Sequence, residues 1–199
     1  MGRPIRRYNP HTLLHICNRG SRQEEIFSDP YDFNHCENIL HHAISQHSVS
    51  LLCYCLMPNH WHLLVLINET CDLSKMMKMF TSNQARQWRW RHETVGKGAV
   101  YQNRYRSHEV ARGRGFLKVA HYIERNAFTA GLCPSPSHWP WGSACPQSQL
   151  LSTLSPWPQE KTENWKNLLL RPPSPHLATE IATALRSGKP FVPSPISVS

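Results

Sequence analysis

Apolar and polar positions repeat along this chain with two periods, and the switches between them mark its elements. Thr12 to Cys17 (TLLHIC) is a short apolar run that reads as a strand with His15 inside it. After the helix-start pair Asp29-Pro30, apolar residues recur at Phe33, Ile39, Leu40, Ala43 and Ile44, so Tyr31 to Gln46 reads as a helix. Val49 to Leu56 and the apolar run that opens at His60 read as two strands, and the turn signal Pro58-Asn59 joins them into a hairpin. Asp72 is placed to cap a second helix from Leu73 to about Arg91, with Leu73, Met76, Met77, Phe80, Ala85 and Trp88 as its stripe. Gly96-Lys97-Gly98 breaks it, and Val100 to Ser107 is a loop running into a strand. Arg112 to Ala130 carries a third helical stripe (Phe116, Val119, Ala120, Ile123, Ala127), and Gly131 ends it.

Strand, helix, strand, strand, helix, strand, helix is the order of an α+β fold, a two-layer ferredoxin-like sandwich with an antiparallel sheet and helices on one face. Past Pro134 the composition changes. Trp139-Pro140-Trp141-Gly142-Ser143 reads as an aromatic clasp closing a domain of residues 1–145. Residues 146–199 read as a Pro- and Ser-rich C-terminal appendage with a short helix at Leu177 to Arg186.

Charge narrows the function. Against 13 Asp+Glu the chain has 22 Lys+Arg, a formal +9, which points to a polyanionic partner, nucleic acid being the commonest. Lys75, Lys78, Arg86, Arg89 and Arg91 decorate the second helix with acidic counterparts nearly absent. In Val100 to Ser107, aromatics and arginines interleave, which suits stacking on bases while neutralising phosphates. Asn18-Arg19-Gly20-Ser21-Arg22 reads equally as a solvated connection or a phosphate contact. The N-terminal arm holds Arg3, Arg6 and Arg7 and lacks the apolar segment of a signal peptide, and no apolar run approaches membrane-spanning length. The seven cysteines show no Cys-x-x-Cys pair, so they read as reduced, mostly core residues of a soluble cytoplasmic protein.

On a strand, His60 and His62 share one face while Trp61 points to the other. That is a metal-ligand geometry, and it is equally the pattern of two half-buried, hydrogen-bonded histidines. Tyr122 and Asn126 stand four apart, one turn along one helix face, with Lys118 a turn earlier. If that helix crosses the hairpin, two imidazoles and an amide oxygen meet a phenol. Such donors leave open positions on a divalent cation for phosphate oxygens and suit Mg²⁺ or Mn²⁺, nitrogen favouring Mn²⁺ slightly. A phenol titrating near pH 10 is a poor nucleophile at neutral pH, and nearby positive charge with a polarised phosphate makes its attack feasible.

Five motifs in order carry a more specific likeness: NRG (Asn18 to Gly20), MPNHWHLLV (Met57 to Val65), YQNRYRS (Tyr101 to Ser107), HYIERNAFTAGL (His121 to Leu132) and WPWGS (Trp139 to Ser143). Together they resemble the REP-associated tyrosine transposases, members of the single-tyrosine superfamily with a His-hydrophobic-His nuclease site. The resemblance implies that Tyr122 is the nucleophile, forming a transient 5′-phosphotyrosine link and releasing a 3′-hydroxyl. It implies that His60 and His62 hold the metal with Asn126 as third ligand, and that the substrate is single-stranded DNA beside a small imperfect hairpin. Asn18, Arg19, Arg104, Tyr105, Arg106 and Lys118 are the candidates for DNA contact, in a monomer or a homodimer. Where relatives show His-Leu-Asn-Pro, this chain has Glu124-Arg125-Asn126-Ala127, which leaves the helix free to continue and puts a carboxylate on the side away from Tyr122. Two other readings stand beside the enzyme: a hairpin-DNA regulator of the same fold that has lost cleavage, and an RNA-binding module of the same topology.

Overall fold

The computed structural model describes residues 8–69, 73–162, 164–173 and 176–191. The basic arm at Arg3, Arg6 and Arg7 and the capping Asp72 lie outside the described residues. Strands β1 (Leu13–Arg19), β2 (Val49–Met57), β3 (His60–Ile67) and β4 (Arg106–Glu109) form one antiparallel sheet in the order β2-β3-β1-β4. Met57 pairs with His60 across the Pro58-Asn59 turn, so the hairpin register puts His60 at the very mouth of the ribbon.

Helix α1 (Pro30–Ser45) starts where Asp29 accepts a hydrogen bond from the Asp32 backbone N–H, with Pro30 in the first turn. It packs beside α2 (Leu73–Arg91) on one face of the sheet, where Leu14, Ile16, Tyr54, Trp61, Leu63 and Val65 join them in a core. The expected α+β fold with an antiparallel sheet is therefore what forms. Its helices, however, cover both faces. Leu13, Leu52, Cys53, Cys55, Met57 and Leu64 face the other way, into a second core under α3 (Arg114–Glu124). The reason lies in β2, which is buried at every position but Ser50, as a strand covered on both sides must be. A register shift between Leu51 and Cys53 turns Leu52 and Cys53 to the same face.

The single helix expected over 112–130 is interrupted at Arg125, and a short α4 (Asn126–Thr129) follows. Beyond it, the clasp forms as read: Trp141 stacks on Phe33 at 4.0 Å between centroids, and Trp139 Nε1–H donates to the Leu56 carbonyl. The C-terminal segment holds two helices, α5 (Trp165–Leu170) and α6 (Leu177–Ser187), where one was expected. Trp165, Leu169, Leu177, Ile181 and Phe191 are buried in the second core, so this segment completes the domain's packing. The clasp and this segment together reach both sheet margins. Gly142 and Leu154 bridge to β2, and Phe191 bridges to Val110 just past β4. Among the described residues no helix is long and apolar enough to cross a membrane.

Candidate active site

Period-two alternation in β3 and the turn of α3 deliver His60, His62 and Tyr122 to one cleft of about 230 Å³, which Arg19, Arg106 and Leu185 of α6 also line. The ring centroids of His60 and His62 are 5.1 Å apart and nearly perpendicular, and the Tyr122 ring lies 5.5 Å from that of His62.

Each imidazole has one nitrogen engaged. His60 Nδ1 is 2.6 Å from Asn59 Oδ1, an acceptor when the ring nitrogen carries the hydrogen, which leaves Nε2 with its lone pair. His62 Nδ1 is 2.8 Å from His15 Nε2, while its own Nε2 is buried without a partner. Burial, reinforced by Arg19, lowers His60 to about 4. Burial also lowers His62 well below its ordinary value, with His15 and His60 adding to the effect. Both rings are therefore neutral at pH 7, the state in which imidazole binds a metal.

Asn126 stands one turn beyond Tyr122. Burial raises the phenol's pKa, while the neighbouring Asn126 side chain and the charge of Arg19 pull it down, and Asn126 Nδ2 is itself buried without a hydrogen-bond partner. Among the described residues no group of three or more His, Cys, Asp or Glu side chains is arranged to hold a metal ion. The cleft lining presents the two imidazoles, and Asn126 is not among its lining residues. The orphaned Nε2 of His62, with Nδ1 anchored behind it, fits a borderline divalent cation whose remaining positions stay open.

The proposed DNA contacts divide. Arg19, Arg104 and Arg106 line the cleft. Asn18 lines it too, but it is buried, and its Oδ1 accepts from the Arg19 backbone N–H, a role in shaping the loop. Gly20 follows because a Cβ there would stand 2.2 Å from the Glu24 carbonyl oxygen and 2.9 Å from Ile26 Cγ2. Its backbone N–H donates to Asn59 O, tying this loop to the hairpin mouth. Tyr105 is corrected: its ring is 5% exposed in the core shared by α1 and α2, which removes it as a platform for bases. Arg91 is likewise engaged elsewhere, paired with Asp29 at 2.5 Å and Asp32 at 2.7 Å. Lys118 is half-exposed one turn before Tyr122, outside the cleft lining.

Two buried histidines and a half-buried cysteine join the site beyond the residues the sequence indicated. His15 and His108 face each other across β1 and β4, with ring centroids 4.9 Å apart, and Cys17 pairs with His62 across β1 and β3. The signal was the alternation Leu13, His15, Cys17, legible only with the cross-strand register in hand. On the far side of α3, Glu124 points away from Tyr122 as expected and accepts from Ser143 Oγ at 2.8 Å and Trp165 Nε1 at 2.7 Å. His121 Nε2 reaches the Leu168 carbonyl, and Arg125 donates to Leu169 and Arg171 carbonyls. His121 and Glu124 of α3, with Arg125 just past its end, thus bolt the helix to α5 while Tyr122 faces the cleft.

Residues 10–126 match the family model described as Transposase IS200 like. A REP-associated tyrosine transposase solved in complex with a REP hairpin has a similar fold, at a TM-score of 0.56 and 17% identity, over 82% of this chain and 94% of that one. A solved structure from Deinococcus radiodurans aligns over 56% of this chain and 88% of its own, at 17% identity and a TM-score of 0.44. No curated protein matches the chain.

Proposed function

The chain belongs to the IS200-like transposase family, and from that premise we propose a metal-dependent endonuclease and strand transferase that cuts single-stranded DNA beside a small hairpin. The observation that carries this reading is Tyr122 facing His62 and His60 in one basic cleft. The solved relative bound to a REP hairpin supports hairpin DNA as the partner.

Arg19 and Arg106 bind and orient the scissile phosphate. The Tyr122 oxygen attacks phosphorus as the bond from phosphorus to the 3′-oxygen breaks. The proton the phenol loses is balanced by one the departing 3′-oxygen gains. The 5′-phosphate stays on Tyr122 as an ester, which a free 3′-hydroxyl can attack in reverse, so joining needs no nucleotide cofactor. His60, His62 and Asn126 would hold Mg²⁺ or Mn²⁺, which when bound supplies positive charge against the charge developing on the phosphate.

The test is a denaturing gel of the protein with labelled single-stranded hairpin DNA and Mn²⁺. Wild type gives a shifted covalent band, and Tyr122→Phe gives none while still binding the hairpin. A band that persists in the Phe variant overturns the nucleophile assignment. No band from wild type leaves a hairpin-binding protein instead.

A further inference from the structure

A buried charge stands at the end of the helix that carries Tyr122. Arg125 is 9% exposed, and among the described residues no carboxylate pairs with it. Its Nη1 donates to the Leu169 carbonyl at 2.8 Å and to the Arg171 carbonyl, and its guanidinium carbon lies 4.9 Å from the Phe128 ring centre. Both acceptors sit at the end of α5, where carbonyls lack partners within the helix. Taking a guanidinium out of water is costly, and hydrogen bonds to carbonyls do little more than offset that cost, so an apolar side chain would fill the space as stably. What the guanidinium adds is direction, because two fixed acceptors dictate where it points.

Ala127 leaves the helix free to continue, yet α3 ends at Glu124 and α4 starts at Asn126, with Arg125 between them. At about 100° per residue, His121, Glu124, Arg125 and Phe128 fall within an arc of about 100°, and Tyr122 and Asn126 centre about 130° round from it. The C-terminal segment grips that arc at successive points. Trp165 Nε1–H donates to Glu124, His121 Nε2 is 2.9 Å from the Leu168 carbonyl, and Arg125 takes the two carbonyls beyond. Such a grip sets the rotation of α3 about its own axis. With side chains a helix has a radius of about 5 to 6 Å, so a rotation of about 10° carries an outward group about 1 Å. A shift of that size at a reacting atom is worth about 100-fold in rate.

We propose that Arg125 is a positioning residue for Tyr122: anchored on the carbonyls that end α5, its guanidinium fixes the rotation of the nucleophile's helix. The rate of strand cutting is then set in part by a contact outside the cleft. The proposal rests on the reading of Tyr122 as nucleophile. Arg125 is not among the residues lining the cleft, so its loss leaves DNA affinity in place.

The experiment compares the full chain with Arg125→Leu, Arg125→Met and Arg125→Lys. Each is mixed with saturating labelled hairpin DNA and Mn²⁺ in a single turnover, and the covalent band is followed over time on denaturing gels. Arg125→Leu is expected to form it with a rate constant about 30-fold or more below wild type, with final yield and hairpin affinity by fluorescence anisotropy within about twofold. Arg125→Lys, which keeps a cationic donor for the carbonyls, is expected to recover most of the rate. Poor folding alone lowers the yield and spares the rate constant, because the folded fraction cuts at wild-type speed. Should Arg125→Leu not fold, Arg125→Met is held to the same figures. A rate constant within about threefold of wild type, a loss confined to yield, or an equal loss of hairpin affinity overturns the proposal. Absence of a covalent band from wild type overturns the Tyr122 reading itself, whereas a wild-type band matched in rate by Arg125→Leu overturns this inference alone.

Discussion

His15 Nε2 lies 2.8 Å from His62 Nδ1, with His15 wholly buried and His62 nearly so. When His62 donates this hydrogen bond, its Nε2 carries the lone pair that a cation needs, so His15 fixes which nitrogen of its neighbour is available. In His15→Leu, the affinity for Mn²⁺ measured by isothermal titration calorimetry should fall by about 10- to 100-fold. His15→Gln, whose amide oxygen restores an acceptor near the lost Nε2, should recover most of it. Wild-type affinity in the Leu variant would show that His62 needs no such anchor.

Gly20→Ala should be costly. The added Cβ meets the Glu24 carbonyl at 2.2 Å, and backbone cannot swing aside as a flexible side chain does. A loss of about 2 kcal/mol or more is expected from overpacking, read from urea unfolding midpoints. The same variant should cut covalent DNA attachment, because Arg19 is positioned by this turn.

Glu124 holds α3 to two separate parts of the chain. Glu124→Ala leaves the Ser143 hydroxyl and the Trp165 indole N–H without their acceptor, a loss of about 2 to 4 kcal/mol. Glu124→Gln keeps an acceptor oxygen for one of them and should lose less. Thermal unfolding of the two variants distinguishes a hydrogen-bonding role from simple packing, which would treat them alike.

Glu37 gives the fold a pH dependence. Burial raises its carboxyl to about 7, although the Tyr54 hydroxyl donates to Oε1 at 2.5 Å, and Oε2 has no partner. A carboxyl whose folded pKa lies above its unfolded value binds its proton more tightly when folded. Its contribution is full below about pH 4.5 and is lost as pH rises through about 7, up to about 3 kcal/mol. Glu37→Gln should flatten this decline. Denaturation midpoints at pH 5 and pH 8 measure it, and an equal fall in wild type and variant would assign the dependence elsewhere.

What the sequence disclosed and what it hid follow from the range of the forces involved. His60 and His62 on one strand face, and Tyr122 and Asn126 one helical turn apart, were readable because strand and helix periods are local properties, and packing brings His60, His62 and Tyr122 into one cleft. His15 and His108 belong to the same cluster only through cross-strand pairing, which no local window contains. Tyr105 misled because an aromatic among arginines looks the same whether it faces solvent or core. The C-terminal segment misled for a related reason. Its prolines and serines diluted the apolar signal, yet Trp165, Leu169 and Ile181 are spaced to fill gaps in a core already built, and no period reveals that. The covering of both sheet faces was written into the unbroken apolar run of β2.

The bridges of Gly142 and Leu154 along β2, and of Phe191 beside β4, have a consequence for how copies of this molecule meet. Unpaired strand margins invite another chain to zip on by main-chain hydrogen bonds. Here the polypeptide hems part of its own ribbon, at Leu51 and Cys55 of β2 and at Val110 just past β4, so at those positions the main chain is already engaged and offers no such seam to a second copy.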